Sequence, residues 1–268
     1  MINLFVSDID HTLYSSELKK IPEENIAALK RLIDKGVKIA LASSRVYSGC
    51  LELASELDLK ANDGYIIAYG GALVKRCKDD KVLLDERFED EQVKSLYQLS
   101  KELDVGFNIA QDKYNIGTNY CKILDYDFYD VGMDYIVSHD IFKYVDEPIY
   151  KVSFSIDNGK ERELLRILDE RYGQEFAFAI PQPHTVDVAL KRISKLTGLK
   201  AVIEDIGITL ENVAGTGDNG NDVDMLSSIA ISGCVANGSD EAKEVADYVV
   251  GSCKEAGVAQ FIKEILKV

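Results

Sequence analysis

Short apolar runs alternate with helix-periodic stretches at both ends of the chain, and this rhythm breaks in the middle. Leu4, Phe5 and Val6 form an uninterrupted apolar run, as a strand buried on both faces does. Ile26, Leu29 and Ile33 then share one face of a helix that starts near Pro22 and ends at Gly36. A strand over 37–42, a helical stretch around 51–57 and a strand over 65–69 complete a β-α-β-α-β series, which predicts a parallel sheet with right-handed crossovers. From about 84 to 187 helical stretches near 89–104 and 160–172 lie among strands such as 150–156 and 176–180, without the alternation. An α+β module on an antiparallel sheet is expected there. From about Lys191 the alternation resumes: a helix near 195–206, a strand near 213–216, a helix after Gly217-Asp218 and a strand at 229–235. A last helix is capped by Ser239, with Asp240 and Glu241 in its first turn. The fold class expected is α/β: a doubly wound, Rossmann-like parallel-sheet core over 1–83 and 188–268, interrupted by an inserted α+β domain over 84–187.

Composition narrows the class of function. The 268 residues, 46% of them hydrophobic, suffice for one large or two smaller cores. No apolar run approaches the roughly 18–20 residues of a membrane span, and the chain opens into a strand rather than a signal-peptide pattern. The five cysteines (50, 77, 121, 234 and 253) are odd in number and contain no Cys-x-x-Cys, so reduced, buried thiols and a cytoplasmic location are expected. A net charge of −15 argues against nucleic acid and anionic membrane as partners. Any anionic substrate would need cations inside the site.

Two segments carry candidate chemistry. Asp8 and Asp10 follow the first strand two residues apart, at the carboxyl end where open α/β sheets bind ligands. Buried together, such carboxylates call for a proton or a hard cation, and oxygen ligands suit Mg²⁺. The second segment, Gly215-Thr216-Gly217-Asp218-Asn219-Gly220-Asn221-Asp222, again follows a strand and offers two carboxylates and two amides on a glycine-rich turn. Solvated polar turns would explain either alone; together they point to a shared cation site. Ser43 closes the second strand, where its hydroxyl and the adjacent backbone amides are placed for an anion, although an ordinary serine cap would look the same. Lys195 stands at a helix start, an unfavourable place for a cation unless a carboxylate cluster and a phosphate face it.

With these motifs in this order, the chain resembles the haloacid dehalogenase superfamily, specifically the Cof-type phosphatases of subfamily IIB, which carry a C2B cap. The resemblance extends through Asp240-Glu241-Ala242-Lys243, Ala246-Asp247-Tyr248-Val249 and Gly257-Val258-Ala259. It implies Asp8 as nucleophile, forming an aspartyl-phosphate, and Asp10 as the acid that protonates the leaving alcohol and then the base that activates water. It implies Mg²⁺ held by the Asp8 carboxylate, the Asp10 backbone carbonyl and Asp218. Ser43, Lys195 and Asn221 would hold phosphate oxygens, Lys195 would also restrain the Asp8 charge, Asn221 and Asp222 would support the metal and Lys195, and Thr12 would orient the first loop.

Several positions depart from the common pattern. His11 stands where glycine is frequent, Ser44 where glycine often precedes the arginine, Gly70 in place of asparagine, and Asn237-Gly238-Ser239 in place of Met-Gly-Asn. Arg45, Ser44 and His11 are the candidate substrate contacts, His11 without a catalytic role. His184 and the inserted tyrosines Tyr114, Tyr120, Tyr126, Tyr129 and Tyr135 are more often structural, although the tyrosines also suit a sugar pocket. The function expected is Mg²⁺-dependent hydrolysis of a small phosphomonoester, a sugar phosphate or another phosphorylated metabolite, by a monomer or homodimer. A phosphomutase and a phosphate-sensing module without turnover remain as alternatives.

Overall fold

A computed structural model describes residues 1–119, 133–156, 159–180 and 183–265. Along the chain, β1 (Leu4–Asp8), α1 (Glu23–Asp34), β2 (Lys38–Ala42), α2 (Ser48–Glu56), β3 (Tyr65–Ala68), β4 (Leu73–Arg76) and β5 (Val82–Asp85) come first. They are followed by α3 (Asp90–Glu102), β6 (Gly106–Ala110), β7 (Tyr114–Gly117), β8 (Asp134–Val137), β9 (Lys151–Ser155), α4 (Glu161–Tyr172), β10 (Phe176–Ala179) and β11 (Thr185–Leu190). The chain closes with α5 (Lys195–Ile206), β12 (Val213–Gly217), α6 (Val223–Leu226), β13 (Ile231–Val235), α7 (Asp240–Val245), β14 (Tyr248–Val250) and α8 (Gly257–Ile265). Two compact units result: Met1–Asp85 with Ser194–Val268, and Glu86–Ile193.

The first unit is an eight-stranded sheet in the order β14-β13-β12-β1-β2-β3-β4-β5. β1 lies at its centre, every residue buried, in parallel register with β2 and β12. The first six strands of that order are parallel, but β4 and β5 add an antiparallel hairpin at the edge. The sheet is thus parallel through its centre, as expected, with a mixed edge. The hairpin is hard to read in sequence because its strands are short and only half-buried, and Lys75 and Arg76 break the alternation of β4. Asp205 on α5 ties the hairpin down, accepting hydrogen bonds from the Tyr65 hydroxyl (3.1 Å), Arg76 Nη1 (3.1 Å) and Lys81 Nζ (2.8 Å).

The second unit is a six-stranded sheet, β10-β11-β9-β6-β7-β8, antiparallel except between β7 and β8. Phe107, Ile109, Val152, Phe154, Val186 and Val188 alternate along its central strands. They pack with Val93, Leu96 and Leu99 of α3 and Leu164 and Leu168 of α4. The boundaries differ slightly from those read in sequence. A break at 187/188 cuts β11, which pairs with β9 and β10 up to Leu190, and a break at 83/84 cuts β5. Tyr114 donates its hydroxyl to the Tyr144 carbonyl (2.9 Å), and Tyr135 is half-buried. Tyr120, Tyr126, Tyr129 and Cys121 lie outside the described residues. Cys50, Cys77, Cys234 and Cys253 are buried free thiols. Among the described residues no helix is long and apolar enough to cross a membrane.

Candidate active site

Asp8 is the last residue of β1 and is 5% exposed. Against it stands Lys195, the first residue of α5, whose cap Ser194 accepts a hydrogen bond from the Thr197 amide. Lys195 is buried, and its Nζ donates to Asp8 Oδ1 (2.5 Å) and to Asp222 Oδ1 (2.7 Å). A cation at a helix start works against the helix dipole, a cost of up to about 1 kcal/mol, but two carboxylates at contact distance in a dry site outweigh it. The turn after β3 comes unusually close to this helix. Gly71 has φ +115°, and a Cβ there would lie 2.1 Å from the Ser194 carbonyl oxygen. Only glycine leaves room.

Asp222 is wholly buried below the loop that follows β12. Its Oδ2 accepts from the amides of Asp218 (3.0 Å) and Asn219 (3.1 Å), while Oδ1 serves Lys195. Gly217 permits this fold-back, since a Cβ would sit 2.6 Å from that of Asp222. Asp8, Asp218 and Asp222 each bring a carboxylate oxygen within 4.8 Å of the others. Burial raises the pKa of Asp8 well above its ordinary value, with the Asp222 and Asp218 charges adding to it and Lys195 opposing. Burial and the Asp222 charge likewise push Asp218 up to about 6. Desolvation alone would lower the Lys195 pKa, but Asp222 and Asp8 overcome it and hold it above its usual value. One ammonium thus bonds two of the three carboxylates, and the buried Asp8 Oδ2 has no hydrogen-bond partner. Crowded hard-oxygen donors with too little positive charge fit a divalent cation such as Mg²⁺. Asp222 spends both oxygens on hydrogen bonds, which makes it the support of Lys195 and the loop.

Asp10 lies apart from this group. Arg45 grips its carboxylate with Nε on Oδ2 (2.8 Å) and Nη2 on Oδ1 (2.6 Å). The sequence reading made Arg45 a substrate contact; in the structure its guanidinium faces Asp10. Tyr14 and Gly49, which the sequence reading did not single out, hold it there. The guanidinium lies 5.2 Å from the centre of the Tyr14 ring, and Nη1 donates to the Gly49 carbonyl (3.1 Å). Nothing in the spacing along the chain joins Tyr14 to Arg45.

The remaining candidates sit at the ends of neighbouring strands. Ser43 is buried, its Oγ accepting from the Arg45 amide (3.1 Å). Its own amide continues the sheet by donating to the Ile67 carbonyl (2.8 Å), so these two amides serve the fold rather than an anion. The Ser43 hydroxyl proton remains available for donation. Asn221, exposed, donates to Ser44 Oγ (3.1 Å), rather than reaching Lys195 as expected. His11, also exposed, has φ +62°, which explains why glycine suits this position. Its amide bonds the Tyr14 carbonyl (3.0 Å), and its carbonyl accepts from Asn237 Nδ2 (2.7 Å), the first residue of the Asn237-Gly238-Ser239 departure. Thr12 is wholly buried in the same loop, its amide on the Ile9 carbonyl (3.3 Å).

The chain is 28% identical over 265 residues to the 5-amino-6-(5-phospho-D-ribitylamino)uracil phosphatase YcsE of Bacillus subtilis, covering 98% of this chain and 95% of that one. A haloacid dehalogenase-like hydrolase from Bacteroides thetaiotaomicron superposes with a TM-score of 0.90 at 25% identity, over 99% of this chain and 100% of that one. A sugar phosphatase of subclass IIB superposes with a TM-score of 0.82 at 24% identity, over 99% and 100%. The family model for haloacid dehalogenase-like hydrolases matches residues 5–262. The chain belongs to the haloacid dehalogenase-like hydrolases, of the Cof type.

Proposed function

We propose that the protein is a Mg²⁺-dependent phosphatase of small phosphorylated metabolites, a sugar phosphate or related polyol phosphate being the substrate class most in keeping with its relatives. The observation that carries this reading is Asp8 itself: Lys195 fixes one carboxylate oxygen and leaves the other buried and unpartnered. An oxygen in that state is poised to attack phosphorus. The attack forms the Asp8–phosphorus bond and breaks the ester bond, and the leaving oxygen takes a proton from Asp10. Water then gives a proton to Asp10 and attacks the aspartyl-phosphate, which releases inorganic phosphate and restores Asp8. Lys195 and the Ser43 hydroxyl hold phosphate oxygens, with Asn221 at the rim, and the ammonium also offsets the Asp8 charge. Asp8, Asp218 and the Asp10 carbonyl would hold Mg²⁺, whose charge stabilises the transferring phosphoryl group when it is bound. The relatives named above act on a phosphorylated ribitylaminouracil and on sugar phosphates by their names, and both are small polyhydroxylated esters.

The test is phosphate release from a broad panel of phosphomonoesters, with Mg²⁺ and with excess chelator. Metal-dependent multiple turnover is expected, with polyol phosphates ranked highest. Transfer of the phosphoryl group within a substrate would instead indicate a mutase. Stoichiometric release without turnover would indicate a sensing module.

A further inference from the structure

We infer that Arg45 is a positioning residue that holds the Asp10 carboxylate in register for proton transfer, rather than a residue that binds substrate. This rests on the reading above that Asp10 moves the protons. Arg45 is held from several sides within the first unit: its amide on Ser43 Oγ (3.1 Å), Nη1 on the Gly49 carbonyl (3.1 Å) at the start of α2, and the Tyr14 ring at 5.2 Å. So anchored, it presents Nε and Nη2 as a two-pronged fork, and both prongs land on Asp10, at 2.8 and 2.6 Å. The side chains are 11% exposed for Arg45 and 24% for Asp10, so the pair is largely shielded from solvent. Two parallel, charge-assisted bonds fix both the position and the plane of a carboxylate. Each carboxylate oxygen has about two lone-pair sites, so the fork occupies one per oxygen and leaves one for a travelling proton. Tyr14 sits in the same loop as Asp10, and the Asp10–Tyr14 bridge closes that loop. The geometry therefore aims one proton-transfer group with another side chain from a different strand end. A lysine cannot reproduce the fork.

Burst kinetics test this in the full-length protein. A 4-nitrophenyl ester has a leaving group that departs without a proton, whereas an alkyl ester needs one. In R45A, 4-nitrophenyl phosphate should still give a burst of about one nitrophenol per enzyme. Its steady-state turnover should fall on the order of 10²-fold, as expected when a positioned base is lost. The alkyl ester should lose the burst as well, and KM for both should change less than about threefold. D10N/R45A should be no slower than D10N. R45K, which keeps the charge without the fork, should show the same leaving-group dependence in a milder form, and it decides the matter if R45A does not fold. A KM raised alike for both esters with kcat kept, a burst lost equally for both, or losses that add in the double variant would each overturn the inference. Failure of the phosphatase reading looks different: the wild-type protein shows no Mg²⁺-dependent turnover, or D10N turns over at the wild-type rate.

Discussion

Among the described residues Lys195 is the ammonium that faces Asp8, Asp218 and Asp222, and the balance of charge around it has consequences that can be measured. Because Asp218 is pushed up to about 6 in the folded protein, it keeps its proton longer folded than unfolded. The metal-free protein therefore loses the stability of that group as pH rises from about 4, the unfolded value, to about 6, and gains none of it back above. Mg²⁺ competes with these protons. The gain in Tm on adding Mg²⁺ should thus be larger at about pH 7.5 than at about pH 5, and equal gains would contradict the assignment. Asp8, raised in the same direction, is a charge the apo fold bears at a cost. Asp8→Asn should raise the Tm of the metal-free protein at about pH 7.5 while lowering turnover on the order of 10⁴-fold or more. Thermal melts and phosphate release on one preparation check both. Much of this site was legible in sequence, because Asp8, Asp10 and Asp218 stand directly after strands, where an α/β sheet collects its ligands. The Arg45–Asp10 fork and the bond from Asn221 to Ser44 were not legible. Both join residues from different strand ends, and no spacing along the chain encodes such a meeting.

The elements that carry the site are placed by backbone fit more than by side-chain chemistry. α5 begins with Lys195 only where the turn after β3 lets it approach, and Gly71 is the point of closest approach. Gly71→Ala forces a Cβ against the Ser194 carbonyl at a left-handed φ. It should cost about 2–4 kcal/mol from strain and overpacking together. Displacing the start of α5 should also lower activity at temperatures where the variant is still folded. Urea melts and kcat at about 20 °C check this, and unaltered stability would remove Gly71 from the argument. Sequence periodicity placed α5 at its observed bounds and put β1, β2, β3 and β12 within a residue or two. Long, strongly patterned segments announce themselves, whereas the β4–β5 hairpin does not. It closes one edge of the sheet with short, partly exposed strands interrupted by charge, and it holds through Asp205 on a helix distant in sequence.

At the scale of the molecule, a net charge of −15 surrounds a site proposed to take a phosphate dianion. The outer field repels such a substrate, while Lys195 and a bound cation attract it at short range. Salt screens the first effect more than the second. Raising NaCl from about 10 to about 150 mM at constant free Mg²⁺ should therefore raise kcat/KM for a small dianionic ester, by about twofold, with kcat unchanged. A fall would show that exposed cations steer the substrate instead. Apolar runs of period two and 3.6, together with acidic and glycine residues at strand ends, were enough to specify an α/β core with an α+β insertion and a carboxylate-rich site. These are local signals, since one strand or helix must bury its own face wherever it lies. Folding in three dimensions settled the mixed edge of the first sheet and the continuation of the second unit through Leu190. It also settled the pairing of Lys195 with both Asp8 and Asp222 and the turn of Arg45 toward Asp10. Each depends on residues far apart in sequence meeting in a space that only the packed chain creates, where burial decides which charges must pair.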